Sequence, residues 1–277
     1  MQVIHVHQIY YDAATRQALD PGFLPLDNTG NARPDWREYW PIRRFLLATP
    51  LAEGEHYGFL SPRFSEKTQI SAAEMIAFAQ AAHDRFDVMS FSPHPDQHGL
   101  FWNVFEHGDW WHPGMLRAAQ EIFDHLGLSV RLEELVMDSR TSIFSNYFVA
   151  KPSFWRPWLA LNERLFALAE TRQGPLAARL NAPMSHRVAL GAVDLKVFIM
   201  ERTASLVLAM HPELRATAYK PFARPLSVAF GRFGRDAILS DALKIAFNET
   251  GDAVYKGAFG HIRAEVKKHL GPRPGGG

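Results

Sequence analysis

The chain has 277 residues, 47% of them hydrophobic, which suffices to enclose one large core and bounds the molecule to one or two domains. Its 30 basic and 29 acidic residues give a formal net charge of +1 with no basic block, which argues against a nucleic-acid partner. Cysteine is absent, so disulfides, thiolate metal sites and cysteine nucleophiles are excluded.

Residues 3–11 alternate and are rich in β-branched and aromatic types, which predicts a first strand carrying His5 and His7 on one face. The chain opens on this strand without the basic flank and apolar core of a signal peptide, and no apolar run reaches bilayer length, so a cytoplasmic location is expected. The segment 27–68 then gathers Trp, Tyr, Arg, an amide and carboxylates in an irregular stretch, the mixture a polar or phosphorylated ligand needs. Within it, residues 56–60 read as a strand, and Arg43-Arg44 as a surface or ion-paired face. Ser71-Ala-Ala-Glu74 is a capping box opening an apolar helix to His83, and 86–92 is another strand, so the three make a β-α-β unit.

A helix is predicted over 113–126, with Pro at its start and Gly127 at its stop, then a buried strand over 143–149. After Lys151-Pro152-Ser153 comes an amphipathic helix over 154–171, in which Pro157 is tolerable only near the first turn. Its Phe154, Trp155, Trp158 and Phe166 read as core before they read as a sugar platform. Residues 173–191 read as a mobile loop, 193–210 as one strongly apolar helix, and 214–219 as a late strand. Two terminal helices follow over 236–248 and 252–270, and 271–277 is a disordered Pro/Gly tail to a single domain over 1–270. Arg263, Lys267 and Lys268 on the last helix read first as a solvated end and second as a peripheral contact with anionic lipid.

Strands alternating with helices predict an α/β layered architecture with a largely parallel sheet, whose ligands lie at the carboxyl ends of the strands. Ser61-Pro62-Arg63, Ser92-Pro93-His94-Pro95-Asp96 and Lys151-Pro152-Ser153 all fall just after predicted strands. Arg63 and Lys67 are spaced to face one anion such as a diphosphate. His94 and Asp96 could share a divalent cation with it, or simply make a Pro-rich turn. Glu201-Arg202 sits in the middle of this apolar helix, where an ionised pair needs a structural partner or a catalytic reason; Glu201 is a candidate general base, and Asp194, seven residues earlier on about the same face, competes. No Gly-rich phosphate cradle, nucleophile elbow or H-E-x-x-H motif is present, which leaves nicotinamide, P-loop and zincin chemistry unsupported.

Several of these signals share an order: Asp27-Asn28, Glu38-Tyr39-Trp40, the Tyr57-Gly58-Phe59 loop with Arg63, Asp87-Val88 to Pro93, His107, Asn146-Tyr147-Phe148-Val149 before Phe154-Trp155, and Phe198 to Arg202. Over about residues 27–210 the order is similar to that of a group of bacterial GT-A-like glycosyltransferases of capsule and surface-polysaccharide synthesis, though 61–68 stands where that group carries His-Tyr-Arg-Arg. The resemblance implies a GT-A-like, Rossmann-type sheet with C-terminal helices, a nucleotide-sugar donor, and a surface-polysaccharide or lipid-linked oligosaccharide acceptor. Under it Asp27, Asn28, Tyr57, Ser61, Arg63, Lys67, Asn146 and Arg202 form the donor site, with or without magnesium or manganese at His94 and Asp96. Glu201 or Asp194 is then the base. Two other classes stay open: a metal-dependent hydrolase built on the 13 histidines, and a noncatalytic assembly protein that binds carbohydrate.

Overall fold

The computed structural model describes residues 3–184 and 193–270. Strands β1 (Ile4–Tyr10), β2 (Leu24–Asp27), β3 (His56–Leu60), β4 (Val88–Ser90), β5 (Phe148–Ala150) and β8 (Ala216–Ala218) form one sheet in the order β2-β1-β3-β5-β4-β8; β6 (Pro183–Met184) and β7 (Val193–Asp194) make a separate antiparallel pair. Neighbours in the sheet run parallel except at β5, which is antiparallel to β3 on one side and β4 on the other. The sheet is thus mixed but mostly parallel. The β-α-β unit expected over 56–92 is split, because β5 lies between its two strands.

Both faces of the central strands β3, β4 and β5 are buried, and the two-residue period of a strand divides their side chains between two cores. Phe148 and Ala150 join one core with Ile9, Phe59 and Val88, while Val149 joins the other with Val6, Leu60 and Met89. The first core lies beneath α2 (Tyr39–Ala48), α7 (Met115–His125) and α8 (Pro152–Glu170); the second lies beneath α4 (Ala72–Ala82). The capping box forms as expected, Ser71 Oγ accepting from Glu74 N–H at 3.3 Å and Glu74 Oε2 from Ser71 N–H at 3.0 Å. Gly58 is needed where β3 meets β5, since a Cβ there would sit 2.6 Å from Val149 Cγ1.

Short elements fill what reads as loop. They are α1 (Ala13–Gln17), α3 (Phe64–Thr68), α5 (Pro95–Leu100), α6 (Val104–Trp111) and α9 (Gly174–Leu180), the last inside the expected 173–191 loop, whose residues 185–191 lie outside the described ones. The predicted tail, 271–277, lies outside them too. The α8 helix begins at Pro152 rather than 154, so Pro157 lies beyond its first turn.

The single helix expected over 193–210 is two, α10 (Leu195–Met200) and α11 (Thr203–Met210), parted at Glu201-Arg202. The Arg202 guanidinium causes the break: its Nη1 donates to the Phe198 carbonyl at 2.7 Å, the acceptor a continuous helix would reserve for the Arg202 amide, which bonds Ile199 O at 3.0 Å instead.

The terminal helices α12 (Gly234–Thr250) and α13 (Ala253–His269) pack against α5 through a third apolar cluster that includes Leu100, Phe101, Phe233 and Val266. Gly99 sets how close they come, because an added Cβ would lie 2.5 Å from the Ala237 carbonyl oxygen. Gly99→Ala is expected to destabilise the protein by about 1–3 kcal/mol in a denaturant titration, the usual range for forcing a packed contact apart. Among the described residues, no helix is long and apolar enough to cross a membrane.

Candidate active site

Strands β1 to β4 run parallel and end on one side of the sheet, and β5, running the other way, begins there. The segments after β3 and β4 and the segment before β5 therefore meet, together with the break between α10 and α11. They enclose a cavity of about 400 Å³ lined by Arg63, Lys67, His94, Ser145, Glu201 and Arg202, with His107, Trp111, His112, Phe144 and Phe198 among its walls. A smaller cleft shares Glu201 and adds Arg37, Glu38 and Asn146.

Backbone strain concentrates here. Arg37 (φ 48°), His94 (φ 55°), Ser145 (φ 59°) and Asn146 (φ 54°) occupy the left-handed region that L residues avoid, and all four line these two hollows. Strain of about 1–3 kcal/mol per residue persists where the surroundings hold it, and it clusters at functional sites.

The cations arrive on α3, which is anchored by fully buried Phe64. Lys67 Nζ donates to Ser145 Oγ at 3.2 Å and lies 5.7 Å from the centre of the Tyr147 ring, whose hydroxyl is 2.6 Å from Ser61 Oγ. Arg63 is exposed and, among the described residues, pairs only with Glu66 one helical turn on, at 2.6 Å. A solvated pair of that kind is weak enough to yield to a ligand anion.

Glu201 differs. Among the described residues its carboxylate accepts no hydrogen bond and makes no ion pair, although it faces the cavity. Burial raises its pKa above the ordinary carboxylate range; nearby Arg202 opposes the shift and Glu38 adds to it. Burial also pushes the Arg202 guanidinium down to about 10. Burial acts the same way on two histidines: His98, which bonds the Pro93 carbonyl at 3.1 Å, is pushed down to about 3, and His107 is held well below its usual value.

Arg63, Lys67, His94, Asn146, Glu201 and Arg202 thus converge as the sequence suggests, with Ser61 beneath them as a support for Tyr147. Other expected members do not. Tyr57 sits at the start of β3, at the opposite end of the sheet, where its hydroxyl donates to Glu55 at 3.0 Å and its ring stacks on His5 at 4.9 Å. Asp96 is fully buried and accepts from the backbone N–H of Ser227 at 2.9 Å and from its hydroxyl, so His94 and Asp96 do not form a cation site. Among the described residues, no three His, Asp or Glu side chains are grouped to hold a metal.

Asp194 precedes α10 rather than sharing a helix face with Glu201, and it pairs with Lys196 at 3.1 Å. Asp27 and Asn28 close β2 but line neither hollow; Asp27 accepts from Thr29 N–H at 2.8 Å, and Asn28 is buried, donating to Asn31 at 3.3 Å. Arg37 and Ser145 were hidden in the sequence, since neither belongs to a motif. Arg43, read as ion-paired, meets Glu163 at 2.5 Å. No family model, curated protein or solved structure matches the chain.

Proposed function

We propose that the chain is a GT-A-like glycosyltransferase that moves a sugar from a nucleoside-diphosphate donor to a hydroxyl of a surface-polysaccharide or lipid-linked oligosaccharide acceptor. One observation carries the reading: Glu201, a carboxylate with no hydrogen bond or ion pair among the described residues, faces the same cavity as the cations Arg63 and Lys67. The mostly parallel α/β sheet, with its polar loops at the strand ends, supports it.

In this reading the acceptor oxygen bonds to the anomeric carbon as the bond from that carbon to the diphosphate oxygen breaks. The acceptor proton passes to Glu201, and Arg63 and Lys67 neutralise the charge that builds on the departing diphosphate. Glu201 suits the base role because burial makes it more basic than a solvated carboxylate.

The test is a binding and transfer panel of uridine, guanosine and thymidine diphosphates and their sugars. Arg63→Ala and Lys67→Ala are each expected to weaken nucleoside-diphosphate binding by roughly tenfold, the scale of one lost charge-assisted contact. Unchanged affinity in both variants, or no binding of any member of the panel by the wild type, sinks the assignment.

A further inference from the structure

The inner wall of the cavity holds a cation that the diphosphate reading does not need. Arg202 is 6% exposed, yet it makes no ion pair with any described residue, its neighbour Glu201 included. Two of its donors are spent on carbonyls, Nε on Val104 at 2.9 Å and Nη1 on Phe198 at 2.7 Å. No described residue accepts from Nη2, although the side chain lines the cavity. A buried guanidinium held without a direct ion pair is costly to a fold.

The fold accommodates this guanidinium closely. A Cβ on Gly108 of α6 would lie 2.6 Å from Arg202 Nε and 2.9 Å from Cζ, so only glycine lets the group in. A second unsatisfied donor sits beside it. Trp111 donates its indole N–H to His107 Nε2 at 3.0 Å, which places the proton of the neutral His107 on Nδ1, and Nδ1 is buried with no acceptor among the described residues. Phe144 and Phe198 supply apolar walls to the same cavity.

From this juxtaposition we infer a second anion subsite, in which Arg202 and His107 receive the carboxylate of a sugar acid while the diphosphate lies at Arg63 and Lys67. The inference rests on the glycosyltransferase reading and narrows its substrate to a hexuronate-type sugar. A planar carboxylate matches the open edge of a guanidinium whose other donors are fixed, and a pyranose ring gives the aromatic walls an apolar face to cover. The acid sits on the transferred sugar or on the acceptor residue; the chemistry at Arg202 is the same.

Two arms of a binding experiment separate these sources. The donor arm compares UDP-glucuronate with UDP-glucose and GDP-mannuronate with GDP-mannose. The acceptor arm compares p-nitrophenyl glucuronide with p-nitrophenyl glucoside, with and without UDP. In one arm the wild type is expected to bind the acid at least roughly tenfold more tightly than its neutral counterpart. Arg202→Gln should erase that preference while leaving UDP and GDP affinity unchanged; Arg202→Lys, which keeps the charge, should retain part of it, and thermal melts of both variants show whether they fold.

Equal binding of acid and neutral sugar by the wild type in both arms overturns the subsite, with or without the variants. So does loss of UDP and GDP affinity in a folded Arg202→Gln, which would place the diphosphate on Arg202. If no nucleotide binds at all the transferase reading falls, and the acceptor arm without UDP still decides the subsite on its own.

Discussion

Glu201→Gln is expected to lower kcat for sugar transfer by about 10²–10⁴-fold, the contribution of a positioned general base, with little change in donor affinity. The amide keeps the shape of the carboxylate and removes only its ability to take a proton. The pH profile gives a second reading of the same role. A base works unprotonated, and burial raises the Glu201 pKa above that of a solvated carboxylate, so kcat of the wild type should climb as pH rises through this elevated value and level off above it. The variant should lose that acid limb. Asp194→Asn should retain both rate and limb, because Asp194 is engaged by Lys196 outside the cavity. A variant of Glu201 that turns over at the wild-type rate would remove it from the chemistry.

Lys244→Met is expected to be the most damaging change to stability, at about 3–5 kcal/mol, the cost of leaving buried polar groups without their charged partner. Lys244 is 1% exposed, and its ammonium donates to the carbonyls of Phe101 at 2.9 Å, Met137 at 2.8 Å and His98. Methionine fills similar space but strands all three carbonyls, and two of them belong to the end of α5, which carries His94 into the cavity at its start. A fall in Tm of roughly 10 °C would correspond to that loss in a chain of this size.

Burial lowers the Lys244 pKa from 10.5 to about 8, so between those values the unfolded chain holds more protons than the folded one. The contribution of this group to stability therefore rises with pH across that window and is lost as pH falls through about 8. Denaturant titrations at several pH values should show this slope in the wild type and not in the variant. A gap between the two proteins that stays constant from pH 8 to 10.5 would mean the ammonium is not the titrating group.

Elements marked by local chemistry were readable from the residues. The alternation of Ile4–Tyr10, the Ser71-Glu74 box and the two terminal helices carry their own signals and appear where expected, within a few residues at their ends. What depends on the path of the chain was not. Nothing in Phe148-Val149-Ala150 tells its direction, because an unbroken apolar run suits either sense between two buried neighbours.

The site divides in the same way. Arg63 and Lys67 follow a strand and duly reach the cavity. Tyr57 precedes them in the same segment, but three strand steps of about 3.3 Å carry it roughly 10 Å back from the cavity end of β3. Asp96 is only two residues past His94, yet the turn into α5 points it at Ser227. The break at Glu201 was invisible because it arises from a side chain capturing a carbonyl inside an otherwise apolar helix.

The reversed strand also governs the order in which the sheet can assemble. A growing chain that has emerged only as far as residue 147 owns β1, β2, β3 and β4 but not the strand that bridges β3 to β4. Two fragments then wait with bare edges until Phe148, Val149 and Ala150 slot between them, and such edges invite pairing with another nascent chain. Closing the sheet late joins partners about ninety positions apart, a high-contact-order event of the kind that slows folding and prolongs the exposure of those edges.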